Sequence, residues 1–411
     1  MATIKPFPAV RPAQRYAEKL ISLPYDVMDR KEAEEMTRGN PYSFLRISRS
    51  EIDLPEQDNP YHPEVYGKAK ENLIDFISRG ILLQDEKPML YIYQQTMGER
   101  IQTGIVACAS IDDYKNNIIK KHELTRVEKE IDRINHFDIC NANTEPVFLT
   151  YRDRKDLRSV IKDWTAAHKP VYNLLTDGIG HALWVINDES IIQTLVEIYK
   201  EIPFLYIADG HHRSASAVKV GFMRRKSNPG YTGKEEFNYF MSVLFPDTDL
   251  HIYDYNRVVK DLNGLSSKEF IDKLLQSFYI DKIENGPYRP EKKHIFSMYL
   301  AGSWYRLTAK DKILSNDTID NLDVSILQNH VLSPLLGIQD PRTDKRIDFI
   351  GGIRGLNHLE QRVNNDMAVA FALHPVLISD LLFVSDQDKI MPPKSTWFEP
   401  KLASGLFVHL I

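Results

Sequence analysis

The stretch "FLYIADGHHRSASAVKV", residues 204–220, constrains this chain more than any other. An apolar run stops at the Asp209-Gly210 step, two histidines and an arginine follow, and a run of small residues continues at helical composition. This pattern predicts a short buried strand, a tight turn and a helix. The first backbone N–H groups of such a helix lack intrahelical partners and, with the helix dipole, form an anion site. Gly210 lets the backbone come close to a ligand, and Arg213 offers a planar cation suited to phosphate oxygens. Ser214, Ala215 and Ala217 let the helix pack closely. A structural reading stands beside this one: Asp209 caps the helix, and His211 and His212 are partly buried packing residues.

A strand–turn–helix of this kind needs a larger frame. With 411 residues, two lobes are expected. The net charge of −5 gives no reason to expect nucleic acid or an anionic membrane as partner. Cys108 and Cys140 are the only cysteines, which argues against a disulfide scaffold and fits a reducing, cytoplasmic compartment. The N-terminal "MATIKPFPAVRP" does not read as a signal peptide, and no apolar run approaches the ~20 residues of a membrane span.

Hydrophobic spacing predicts helices over 65–80, 156–169 and 189–202, with Gly80 and Pro170 as stops. "PMLYIYQQTMGERIQTGIVACASI" reads as two strands turning at Met97–Arg100, and 294–309 as a second hairpin turning at Gly302. Further strands are expected over 235–246 and 251–259, and a helix after Ser266, whose Ser-x-x-Glu box ends at Glu269. Residues 50–64 and 284–293 read as exposed connections. The irregular alternation of strands and helices indicates an α/β (α+β) fold. We divide it into an N-terminal segment 1–90, a core 91–250 and a C-terminal α+β lobe 251–411.

Three other segments carry chemistry. "KKHELTRVEKEIDR" (120–133) places His122 and Glu123 ahead of a helix on which Glu128 and Asp132 share one face and Lys129 and Arg133 another. A solvated, salt-bridged helix explains most of those charges. Glu123 is the candidate general base. The segment is not a zinc-protease motif, because Arg126 stands where the second histidine belongs. "IMPPKSTWFEPK" (390–401) offers Lys394, Ser395 and Thr396 to phosphate, without the glycines of a P-loop; a rigid loop with Trp397 and Phe398 buried is the alternative. "RIDFIGGIRG" (346–355) reads as a bare Gly-Gly turn. Tyr25, Asp26, Asn40 and Arg46 read as cleft residues or as turns with packed aromatics.

"ADGHHR" resembles the phosphate-binding box of the ParB/sulfiredoxin superfamily, in the version found in its free-serine kinases. Those enzymes carry a His-Glu pair upstream, and "KHE" supplies one here, 86 positions before Asp209. The whole chain also resembles a widespread bacterial ParB-like family of long-unassigned function, through "LPYDV", "NPYSFLRI", "KHELTRVEKEIDR", "ADGHHRSASA", "YNRVVKDLNG", "DFIGGIRG" and "PPKSTWFEPK". The resemblance implies a ParB/sulfiredoxin-like nucleotide-binding core with large additions at both ends. It also implies an enzyme that phosphorylates free L-serine or a related hydroxy compound with ATP and Mg²⁺. Glu123, His122 and Asp209 are then catalytic. Gly210, His211, His212, Arg213, Lys394, Ser395 and Thr396 bind the nucleotide. The expected partner is serine or phosphoserine, with no nucleic acid or membrane. A phosphoserine or nucleotide phosphohydrolase and a ParB-like regulatory nucleotide switch remain the alternatives.

Overall fold

The computed structural model describes residues 1–56, 59 and 61–411. Part of the connection expected over 50–64, namely residues 57, 58 and 60, lies outside the described residues. The protein is a mixed α/β (α+β) chain of two compact units. The first comprises Met1–Lys121, Thr125–Leu250 and Pro400–Ile411; the second comprises His122–Leu124 and His251–Glu399.

The first unit is built on a nine-stranded sheet. Its strands are β1 (Ile4–Lys5), β2 (Leu90–Met97), β3 (Arg100–Ser110), β4 (Ile119–Lys120), β5 (Val147–Tyr151), β6 (Tyr172–Thr176), β7 (Ile179–Ile186), β8 (Leu205–Asp209) and β9 (Tyr239–Pro246). The order is β4-β8-β5-β9-β3-β2-β7-β6, with β1 beside β3. The β4/β8 and β5/β9 pairs are parallel and the rest antiparallel, so the sheet is mixed. The expected hairpin forms with Met97 opposite Arg100 and Gly98 at φ +60°. Helices α1 (Pro63–Ser78), α2 (Val127–Cys140), α3 (Lys155–Ala167), α4 (Glu189–Lys200) and α5 (His211–Ser227) belong to this unit. Pro63 opens α1 where a missing N–H does no harm, and Asp188 caps α4 from its side chain. Ile92, Ile105, Leu149, Ile207, Leu244 and Leu195 are among the residues of the core. Cys108 and Cys140 are buried and unpaired.

The strand expected over 235–246 starts only at Tyr239. Glu235 accepts the N–H groups of Thr232 and Gly233 and the Asn238 side chain, which holds 236–238 in a tight turn instead.

The second unit carries an antiparallel six-stranded sheet. Its strands are β10 (Tyr255–Val259), β11 (Phe278–Ile283), β12 (Ile295–Leu300), β13 (Ser303–Ala309), β14 (Ile347–Gly351) and β15 (Val369–Ala372), in the order β11-β13-β12-β15-β10-β14. Helices α6 (Ser267–Leu274), α7 (Asp323–Leu327) and α8 (Leu356–Asn365) join it. Ser266 and Glu269 form the reciprocal cap that their spacing predicts. The strand expected over 251–259 is two: Ile252–Tyr253 pairs with Trp397–Phe398, and β10 follows after Asp254. Nor is Gly351-Gly352 a bare turn. A Cβ on Gly351 would stand 2.7 Å from the Trp397 indole, and one on Gly352 would overlap the Asp254 carboxylate. Among the described residues, no helix is long and apolar enough to cross a membrane.

Two glycines in helices give opposite tests of packing. Replacing a helical glycine by alanine gains about 1 kcal/mol where space allows. Gly67 in α1 has nothing within 4 Å of a new Cβ, so Gly67→Ala should raise the melting temperature. At Gly221 in α5 the Cβ would lie 2.4 Å from the Phe237 carbonyl oxygen and 2.7 Å from Ile111. Overpacking against backbone outweighs the helical gain, typically at about 1–3 kcal/mol. Gly221→Ala should therefore lower the melting temperature, and calorimetry of the pair checks both signs.

Candidate functional site

The end of β8 and the start of α5 form the centre of the site. Leu205, Tyr206, Ile207 and Ala208 are buried, and the pairing of β8 with β5 shifts register between Ile207 and Asp209. Gly210 turns the chain at φ +90° and ψ 35°, a left-handed conformation that glycine adopts freely. A side chain at Gly210 would press on the Arg213 guanidinium, 3.1 Å away. Helix α5 then runs for 17 residues with no side-chain cap at its N-terminus and no acid in its first turn. The dipole end of a long helix and its first amides therefore meet no carboxylate from their own turn. Ser214, Ala215 and Ala217 are buried as expected, and the buried Ser216 Oγ donates to the Glu130 carbonyl at 2.9 Å, locking α5 to α2.

Asp209 is the hinge of the electrostatics. Its Oδ2 accepts from Arg213 at 3.1 Å and from Lys401 at 3.5 Å. Burial alone would raise its pKa; Lys401, Arg213 and His211 outweigh burial and hold it well below the usual carboxylate range. His212 is partly buried, and its Nε2 accepts the Arg126 N–H at 2.9 Å. That bond leaves Nδ1 as the protonated nitrogen of the neutral ring. Nearby, Glu130 pairs with Lys219 and accepts from Thr125 at 2.7 Å.

Arg213 departs from its expected role. It is 2% exposed, and its Nη1 donates to the Pro146 carbonyl at 2.6 Å while Nη2 faces Asp209 and, at 3.7 Å, Asp26. The guanidinium is committed within the protein, to two carboxylates and a backbone carbonyl. The same cluster holds Glu145, which accepts from Ser404 at 2.8 Å and from the Tyr25 N–H at 3.3 Å. Burial pushes the Glu145 carboxyl up, against the pull of Arg213 and Arg133. Arg133 lies 4.0 Å over the Tyr25 ring and pairs with Asp132 at 2.9 Å. Helix α2 is thus not the solvated helix its charges suggest. Glu130, Asp132, Arg133 and His136 face inward, while Val127 and Ile131 are exposed. Of the other early candidates, Asp26 joins the cluster, Tyr25 is buried in it, and Arg46 pairs with Asp53. Sequence reasoning missed Glu145 and Lys401. A lone glutamate before a buried strand was the available signal for the first, and the second had none.

The remaining candidates belong to the second unit. The carbonyl of His122 accepts the Met391 N–H at 2.8 Å, and its ring Nε2 lies 3.3 Å from Thr396 Oγ1. Glu123, next in the chain, is partly buried. Ser395 is buried and donates to the Pro392 carbonyl at 2.6 Å, so it closes its own loop. Lys394 is exposed and adopts φ +58°, with its ammonium 5.5 Å over the Tyr255 ring. Phe398 is buried and Trp397 half-buried, as the rigid-loop reading requires.

The family described as "protein of unknown function (DUF1015)" matches residues 4–325. The chain belongs to this family. No protein of curated function matches it. Among solved structures, this DUF1015 protein is similar to SbnI with a C-terminal truncation from Staphylococcus aureus, at 11% identity and a TM-score of 0.41, over 74% of this chain and 87% of that one. It is also similar to a conserved hypothetical protein from Pyrococcus furiosus, at 12% identity and a TM-score of 0.37, over 77% and 98%. A free serine kinase in complex with AMP matches at 11% identity and a TM-score of 0.37, over 74% and 92%.

The charge on Asp209 has a measurable signature. A carboxyl whose folded pKa lies below its unfolded value of ~3.9 contributes stability that is complete above that pH and is lost as the pH falls through the folded value. In the DUF1015 protein, Asp209→Asn should remove part of the loss of stability below about pH 4, read as urea midpoints from pH 2 to 6. Arg213→Met leaves Asp209, Asp26 and the Pro146 carbonyl without their cation. Because both carboxylates are partly exposed and Asp209 keeps Lys401, the loss should be about 1–3 kcal/mol, which chemical denaturation at pH 7 would measure.

Proposed function

We propose that this protein is an ATP-dependent phosphotransferase acting on free L-serine or a related small hydroxy compound, with a ParB/sulfiredoxin-like core. The observation that carries this reading is the turn at Asp209–Arg213. It offers the N-terminus of a 17-residue helix with no side-chain cap and no acid in its first turn, a glycine in the left-handed conformation at the turn, and the Lys401 ammonium beside Asp209. Those groups suit a polyphosphate, and the order of "KHE" and "ADGHHR" along the chain supports the serine-kinase version.

In this reading the amides opening α5 at His211 and His212 hold phosphate oxygens, with Gly210 shaping the turn before them. Arg213 is a positioning residue that fixes Asp209 rather than a phosphate ligand. Mg²⁺ is usually bound by one or two carboxylates together with substrate phosphates, and Asp209 fits as such a carboxylate. The metal's contribution when bound is to neutralise phosphate charge. Glu123 is assigned the base by the resemblance: it takes the proton as the serine hydroxyl oxygen bonds to the γ-phosphorus and the bond to the ADP oxygen breaks. The same resemblance assigns His122 to catalysis and Lys394 and Thr396 to the nucleotide; His122 Nε2 lies 3.3 Å from Thr396 Oγ1. In-line transfer depends on positioning and charge stabilisation, which these residue types provide without a covalent intermediate.

Incubation with L-serine, ATP and Mg²⁺ should yield O-phosphoserine and ADP. Glu123→Gln should lower turnover by about 10²–10⁴-fold and leave nucleotide binding intact. Release of phosphate from phosphoserine alone, with no synthesis, would reassign the protein as a phosphohydrolase. Near-normal turnover in Glu123→Gln would remove Glu123 from the mechanism.

A further inference from the structure

The second unit contains a cavity of about 320 Å³ lined by Arg257, Val324, Gln328, Leu332, Phe349 and the Pro392-Pro393 pair, among others. Its size falls within the range of small-molecule sites, at the small end. Three segments meet there: β10 brings Arg257 and β14 brings Phe349, neither used by the proposed activity, and the 390–401 loop brings Pro392 and Pro393. The far wall is α7 continuing into a π-turn at Gln328–Leu332, a wide helical turn that is rare in proteins and frequent at functional sites.

Arg257 is what makes this cavity more than a packing gap. It is 3% exposed. Its Nη1 donates to the Tyr255 carbonyl and its Nη2 to the Lys394 carbonyl at 2.9 Å, and the guanidinium lies 5.5 Å over the Phe349 ring. Among the described residues no carboxylate pairs with it. Burial lowers its pKa to about 10, opposed by Tyr255 and by no carboxylate. A buried charge without a counter-ion is costly. Two backbone carbonyls do not require a cation; a neutral amide would serve them. The other charges on the wall cancel, since Arg342 and Asp340 form a two-point pair at 2.9 and 2.8 Å. The cavity therefore carries one uncompensated positive charge, with valine, leucine, phenylalanine and proline side chains on its walls beside Gln328 and Gln339.

We propose that this cavity binds a small organic monocarboxylate with a flat or branched apolar body, its carboxylate on Arg257 and its body between Val324, Leu332, Phe349 and the two prolines. A single net cation matches a monoanion better than a phosphate dianion, and the apolar walls reject a fully hydrated ion.

The test uses the full chain and three probes: benzoate, benzamide and inorganic phosphate. Benzoate should bind saturably by titration calorimetry and raise the melting temperature, with benzamide and phosphate at least tenfold weaker. Arg257→Gln, which keeps donors for the two carbonyls, should weaken benzoate at least tenfold. Val324→Phe, which fills the cavity and leaves the charge in place, should do the same and carries the test if the first variant does not fold. Equal binding of benzamide or of phosphate would overturn the proposal. So would benzoate binding that survives either substitution, or no saturable binding at all.

Discussion

The carboxylate of Asp209 is the point on which the first unit's polar architecture depends. It ends a strand whose other residues are buried and is itself only partly exposed, so neighbouring cations meet much of its charge. Arg213, one helical turn later, and Lys401, from the returning C-terminal segment, meet it. Arg213 in turn ties in Pro146 and Asp26. The final twelve residues are drawn into this unit by further pairing: Gln95 donates to the Lys401 carbonyl, and Ser404 and Val408 bridge to Ser22 and Val10. Strand end, helix start and C-terminus are thus fixed by one set of charges.

This arrangement separates two roles that adjacent residues share. The backbone at Gly210–His212 opens α5 without a side-chain cap, while the Arg213 side chain points its charge inward. An arginine turned out to solvent would be hydrated and mobile. Behind the turn it holds the aspartate at a defined place and keeps it ionised, which is the kind of support a preorganised site needs. Helix α2 extends the same logic, with Asp132 and Arg133 paired inside and Arg133 resting on Tyr25.

Much of the local structure was legible in the residues. The β2–β3 hairpin, the Gly302 hairpin, the caps at Ser266 and the helix stop at Gly80 follow from patterns within a few positions, and the structure has them. The errors share a cause. The 235–246 and 251–259 segments are apolar enough for continuous strands, but Glu235 hydrogen bonds and the buried Asp254 interrupt them. Helix α2 has the charge pattern of a surface helix, and only the buried partners of Asp132 and Arg133 explain why that face turns inward.

By itself the sequence determined the strand–turn–helix at Asp209 and the mixed α/β character, which rest on short-range periodicity and glycine placement, and the family, which rests on a match along residues 4–325. Tertiary structure alone decided which charges are paired. Lys401 reaches Asp209 across 192 positions, Ser404 reaches Glu145 across 259, and Arg257 finds the Lys394 carbonyl across 137. No local pattern carries such pairings, because a side chain's partners depend on where the fold brings distant segments together and on how much water is left between them.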